Sequence, residues 1–337
     1  MAKRISLALQ GGGAHGAFTW GVLDRVLEDE RLVLDGISGT SAGAMNGAMV
    51  AYGYDEGGRE GARATLERFW RRISEAWLFT PFQPSWVDRL FGWGGLDYSF
   101  GYQTFDALSR FYSPYQFNLI DLNPLRDILV EVCDFERVRR RRMIKLYACA
   151  TNVLTGKIKV FEPEEITPDV LLASACLPQL FKAVTVNGEP YWDGGYLGNP
   201  AFYPLMHGCA AQDIVLVQVN PIRTAEVPTT AREIADRVNE ISFNATMMRE
   251  MRSIHFVTKL IQDRRLGDAD DLREIRFHMI EAEQTMARLG ASSKLNGEWD
   301  FLCELRDLGR ERAARWLKAN FEAVGRQSTL NVDEVFV

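Results

Sequence analysis

Two rhythms alternate along this chain: short apolar runs, and longer stretches whose apolar positions recur at helical spacing. Residues 4–9 form the first run and read as a buried strand. Over residues 16–30, Val22, Leu23, Val26 and Leu27 fall on one face of an amphipathic helix. Residues 32–37 read as a second strand, and a second helix is expected over residues 42–52. Two strands bracketing a helix imply a right-handed βαβ unit and a largely parallel sheet, hence an α/β class. Later strands are expected at 144–150, 157–161, 214–219 and 275–280, and long helices at 231–263 and 299–324. No internal repeat interrupts the pattern.

Each of the first two strands ends in a glycine-rich turn that opens into a helix. The first reads Gly11-Gly12-Gly13-Ala14-His15-Gly16 and the second Gly39-Thr40-Ser41-Ala42-Gly43. The second fits G-x-S-x-G, the strained strand-to-helix turn that exposes a serine hydroxyl. Ser41 also suits an ordinary helix N-cap. The small residues after it (Ala42, Gly43, Ala44, Gly47, Ala48) favour close packing of that helix on a sheet. The first turn offers backbone N–H groups at a helix N-terminus, where an anion is favoured. Gly11, Gly13 and Gly16 also satisfy G-x-G-x-x-G, with Asp35 near the place of a ribose-binding acid. That would make the chain a dinucleotide-binding oxidoreductase. Against it, Asp35 runs at once into the specialised Ser41 turn, and the glycine pattern alone is weakly specific.

Composition narrows the partners. The net charge of -6 gives no whole-chain attraction to nucleic acid or to an anionic membrane. Five scattered cysteines show no ligand spacing, so a reduced, cytoplasmic protein without a disulfide framework or zinc site is expected. The first apolar run is too short for a signal peptide, and no run is long enough to span a bilayer. Membrane contact is therefore expected only at the periphery. Residues 69–117 hold 16 of the 37 aromatics, broken by Gly and Pro. They read as an insertion packed over the sheet, or as a lid or acyl-chain cleft. Arg137, Arg139, Arg140, Arg141 and Arg142 read as a solvated face, with anionic headgroup contact as the alternative. Residues 1–325 are expected to form a single domain that includes the insertion, with 326–337 as a C-terminal tail.

A nucleophilic serine needs a base. His15 lies inside the glycine turn, while His207, His255 and His278 lie in settings that read as structural or solvated. Asp193, in Pro190-Tyr191-Trp192-Asp193-Gly194-Gly195-Tyr196, follows a short aromatic strand at a glycine turn. By itself Asp-Gly reads rather as a simple hairpin turn.

Taken together and in order, residues 7–16 around the three glycines, Gly39-Thr40-Ser41-Ala42-Gly43, Ala173-Ser174-Ala175-Cys176-Leu177-Pro178 and Asp193-Gly194-Gly195 resemble the patatin-like phospholipases. The resemblance spans roughly residues 4–220 and is loose beyond. It implies a three-layer α/β/α fold with a largely parallel central sheet. It also implies lipid acyl hydrolysis without a cofactor or metal, by a Ser–Asp dyad. Ser41 would be the nucleophile, Asp193 the base, and Gly11, Gly12 and Gly13 the oxyanion hole. The substrate would be a lipid or other acyl ester; the alternative is a non-catalytic patatin-like protein that binds lipid or a partner. One departure stands out: His15 occupies a position where the family usually has Arg or Lys.

Overall fold

The computed structural model describes residues 2–91, 94–118, 123–140, 143–224, 226–263 and 273–336. Eight strands run in chain order: β1 (Lys3–Leu9), β2 (Leu32–Gly39), β3 (Lys145–Asn152), β4 (Ile158–Phe161), β5 (Val184–Val186), β6 (Glu189–Asp193), β7 (Asp213–Val217) and β8 (Arg276–Ile280). The helices are α1 (Gly16–Leu27), α2 (Ala42–Trp77), α3 (Trp86–Phe91), α4 (Phe100–Ser109), α5 (Pro114–Phe117), α6 (Pro124–Val132), α7 (Phe135–Arg140), α8 (Pro168–Ser174), α9 (Tyr203–Gly208), α10 (Ala231–Gln262), α11 (Glu283–Met286), α12 (Trp299–Asn320) and α13 (Val332–Phe336).

The sheet order is β5-β6-β3-β2-β1-β7-β8, with β4 paired to β3 off this path. The pairs β1/β2, β1/β7, β2/β3 and β7/β8 are parallel; β3/β4, β3/β6 and β5/β6 are antiparallel. The strands are apolar on both sides because both sides are covered. Ile5, Leu7 and Leu9 of β1, Leu146 and Ala148 of β3 and Val215 and Val217 of β7 point into one core with α1, α2, α6, α8 and α12. The alternate residues Ala8, Tyr147, Cys149, Ile214 and Leu216 point into a second core with α9, α10 and α13. This is the expected three-layer α/β/α arrangement.

Local chemistry sets several helix starts. Thr167 Oγ1 accepts from Val170 N at 3.2 Å with Pro168 at the first helical position. Thr230 and Glu233 form a capping box at α10. The helix expected over 42–52 runs on to Trp77, kinked at Gly57 and Gly58, where Gly58 has φ +62. Its second half is held by the buried side chains Ala62, Leu66, Phe69 and Trp70. The aromatic stretch is, as its punctuation suggested, no single element: it contains the end of α2 and then α3, α4 and α5. Phe105 makes edge contacts with Phe82 and Phe117. An apolar groove of about 610 Å³ opens among Pro81, Phe100, Phe105 and Leu108.

Of the arginine run, Arg137 pairs with Asp55 and Glu56, and Arg139 and Arg140 pair with Glu136. Arg141 and Arg142 lie outside the described residues. The expected tail is packed: Leu330, Val332 and Phe336 are buried in the second core. Thr329 N and Leu330 N both donate to Phe277 O at 3.1 Å. Among the described residues no helix is long and apolar enough to cross a membrane.

Candidate active site

The sheet register brings the singled-out residues to one edge. Leu9, the last residue of β1, pairs with Gly39, the last of β2. The glycine loop and Ser41 therefore leave the sheet side by side. Gly39 in turn pairs with Ala148, and β3 continues past it, pairing Ala150 with Asp193. At roughly 3.3 Å per residue, β3 carries Asp193 about two residues beyond the end of β2, alongside the Ser41 turn.

Ser41 has φ 54 and ψ −125, a left-handed conformation unusual for a residue with a side chain. It precedes α2 but its side chain makes no capping bond, so the N-cap reading does not describe it. The turn is fixed from outside. Ser41 N donates to Ser174 Oγ at 2.9 Å, Gly43 N donates to Thr40 O at 2.8 Å, and Thr40 Oγ1 donates to Gly198 O at 2.5 Å. A side chain on Gly43 would run into the Leu9 carbonyl, so only glycine lets α2 start this close to β1.

Asp193 ends β6 with its side chain buried. Its N–H donates to Cys176 O at 2.8 Å, its carbonyl accepts from Thr151 Oγ1 at 2.8 Å, and Oδ1 accepts from Gly195 N at 2.7 Å. Burial pushes the carboxyl up to about 7; the Gly195 N–H, the nearby Ser41 hydroxyl and the charge of Lys294 pull in the opposite direction. Part of the apolar surround is Phe243, packed on Tyr196 with ring centroids 5.2 Å apart.

The glycine loop divides its donors. Gly11 differs from the expectation, because its N–H already donates to Asn199 Oδ1 at 2.7 Å. Neither Gly12 N nor Gly13 N makes a hydrogen bond among the described residues. Gln10 braces the loop: its Oε1 accepts from Val219 N at 2.8 Å and Asn220 N at 2.9 Å. Its Nε2 donates to Asn244 Oδ1 at 3.1 Å. His15 is buried, with Nε2 2.7 Å from Ser293 Oγ. Burial first, and the charge of Lys294 second, hold its pKa well below the ordinary histidine value. It therefore brings no positive charge to the loop near neutral pH.

The other histidines lie elsewhere. His255 meets Asp333 at 3.2 Å, His278 bridges Asp213 and Thr329, and His207 is exposed on α9. Asp35, the candidate ribose ligand, accepts from Ala210 N and Ala211 N and thereby ties β2 to the approach of β7. A polar cleft of about 580 Å³ adjoins the glycine loop at His15 and Lys294; Ser41 and Asp193 do not line it.

Several supporting residues escaped sequence reasoning. Ser174 and Cys176 belong to the Ala173–Pro178 block, whose sequence names no task for either. Asn199 stands six residues after Asp193 in an unremarkable Gly-Asn-Pro stretch. Asn220 and Lys294 carry no local motif at all.

No curated protein matches the chain. Among matching solved structures is the crystal structure of VipD from Legionella pneumophila, 15% identical, with a TM-score of 0.39, over 94% of this chain and 67% of that one. The family model described as patatin-like phospholipase matches residues 7–206. That span covers well over half of the chain, including both glycine turns and the Asp193 loop: the chain belongs to the patatin-like phospholipases, a family of lipid acyl hydrolases.

Proposed function

We propose that this protein hydrolyses fatty-acyl esters through an acyl-serine intermediate, with Ser41 and Asp193 as its dyad. The observation that carries the reading is the Ser41 hydroxyl, uncapped on a left-handed turn, beside a buried aspartate whose pKa stands at about 7. A base with that pKa is half ionised near neutrality and strong enough to take a hydroxyl proton. Asp193 accepts the Ser41 proton as Oγ bonds to the ester carbonyl carbon, and the carbonyl π pair moves onto oxygen. The N–H groups of Gly12 and Gly13 receive that oxyanion, while Gly11, tied to Asn199, fixes the loop. Collapse expels the alcohol, which takes the proton from Asp193. Water then repeats the sequence on acyl-Ser41 and releases the fatty acid.

The test is hydrolysis of a soluble nitrophenyl ester together with labelling by a fluorophosphonate. Ser41→Ala should fold normally, lose about 10⁴-fold in kcat and take no label. A folded variant that kept a tenth of wild-type activity would sink the assignment. We further propose that residues 1–325 form one hydrolase domain, against whose second core residues 326–337 pack, with 69–117 as the part that meets acyl chains.

A further inference from the structure

The candidate site has a cation behind it. Lys294 lies on the short 3-10 turn Ala291–Leu295, and its backbone carbonyl occupies the space a side chain on Gly13 would need. The turn is thus pressed onto the glycine loop. Lys294 Nζ donates to Asn220 Oδ1 at 2.9 Å, and Asn220 Nδ2 donates to Gly11 O at 2.8 Å. The ammonium is therefore two hydrogen bonds from the Gly11–Gly12 peptide, the one that carries the Gly12 N–H.

This arrangement is costly. Lys294 is half-buried, and burial lowers its pKa. Among the described residues Asn220 is its only hydrogen-bond partner, and no carboxylate comes within ion-pair distance. A partly desolvated cation with spare donors is poor material for stability alone. The charged and titratable groups that face it are His15 from the glycine loop, Asp236 and Glu240 from α10, and Asp193 from β6. Asp193 in turn also faces Ser41 and Tyr196.

The proposed chemistry needs a counter-ion here. In its reactive form the site carries one negative charge: on ionised Asp193 at rest, and on the oxyanion once the proton has moved. We infer that Lys294 is the positioning residue that supplies this counter-charge, steadying the glycine loop through Asn220 while its ammonium offsets the charge shared between Asp193 and the oxyanion. The inference rests on the hydrolase reading above and adds a residue from outside the span that matches the family.

The test is the pH profile of kcat and KM for a soluble short-chain nitrophenyl ester, with active sites counted by fluorophosphonate. Lys294→Gln keeps a donor for Asn220 but removes the charge; Lys294→Met removes both; Lys294→Arg keeps the charge. Lys294→Gln should lower kcat about 10-fold or more per active site with KM little changed. Its acidic limb should move up by at least about half a pH unit, because Asp193 loses a stabilising cation. Lys294→Arg should return the limb to its wild-type position. The inference fails if Lys294→Gln and Lys294→Met keep the wild-type limb and kcat per active site, including the case where activity falls only because fewer sites label. If Lys294→Met does not fold, the Gln and Arg pair decides alone. Ser41→Ala run in parallel separates the two claims: an active Ser41→Ala overturns the hydrolase reading, whereas an inactive one beside an unaltered Lys294→Gln overturns only the role of Lys294.

Discussion

At Asp193 two demands pull against each other. A base must be charged to work, and burial penalises that charge. Its pKa in the fold is raised from 3.8 to about 7, so this group favours folding most below about pH 3.8 and loses that contribution as pH rises through 7. Asp193→Asn removes the penalty. Thermal unfolding should show the variant more stable than wild type at pH 8, by up to about 4 kcal/mol at 1.36 kcal/mol per pKa unit, with the two converging near pH 3.5. The same substitution should cost about 10⁴-fold in activity, and wild-type kcat/KM should fall below an apparent pKa near 7. A destabilised Asp193→Asn at pH 8 would show that the carboxylate is held by interactions stronger than its burial.

Residue-scale legibility followed the backbone. Ser41 stood out in the sequence because a strained turn demands glycines on either side, and those leave a pattern. Asp193 was visible only as an Asp-Gly pair that hairpins also use, and gained meaning from its order after the other motifs. Asn199 and Lys294 were invisible, since a single side chain reaching across the fold leaves no periodicity. The tie on Gly11 leaves no trace for the same reason: nothing local says that Asn199 accepts its N–H.

At the scale of elements, the stretch from the end of α2 through α5 is unusual for what it leaves uncovered. Eleven of the 21 exposed large apolar side chains among the described residues lie between Leu78 and Phe117, among them Phe79, Trp86, Phe100 and Phe111. The stretch is also tied to the site's surroundings, because Tyr115 Oη accepts from Ala183 N at 3.2 Å, at the end of the loop that runs from α8 past Cys176 to β5. Replacing Phe79, Phe100 and Phe111 together with serine should leave soluble acetate and butyrate esters turning over normally. Hydrolysis of long-chain esters in micelles should drop about 10-fold or more, since each buried aromatic is worth about 1.5–3 kcal/mol. Equal losses on both substrates would assign these rings to structure. Trp93, an equally natural target, lies outside the described residues. The stretch shows in the composition, but the helix expected over 42–52 continues through its kink at Gly57 and Gly58 to Trp77, where buried side chains hold it.

Across the whole molecule, the last residues close a clasp. Burial alone would raise Asp213, but hydrogen bonds from His278, Arg276 and Gly325 N hold it down at about 2. His278 also meets Thr329 Oγ1 at 2.9 Å, so the ends of β7 and β8 and the chain after α12 share one polar knot. Deleting residues 326–337 would remove its Thr329 arm and uncover Leu330, Val332 and Phe336. At about 1.5–3 kcal/mol per buried side chain, denaturant unfolding should show a loss of roughly 5 kcal/mol or more. A deletion that unfolds at the wild-type midpoint would make the segment dispensable. The alternation of apolar residues made the layered sheet legible, because a strand covered on both faces has to be apolar on both. The closing segment was not legible, because its few apolar residues are held by distant partners.

The register at the sheet edge also has a meaning in time. Ser41 sits on the turn from β2 into α2, directly after the N-terminal βαβ unit, whereas Asp193 arrives only when β6 has paired with β3. Such a pairing closes a long loop and belongs to the slow, non-local part of folding. A chain emerging from the ribosome would therefore possess its hydroxyl well before it possesses a base. On the proposed mechanism, a half-made molecule beside a membrane is harmless, and the capacity to cut lipid is conferred late, by assembly itself.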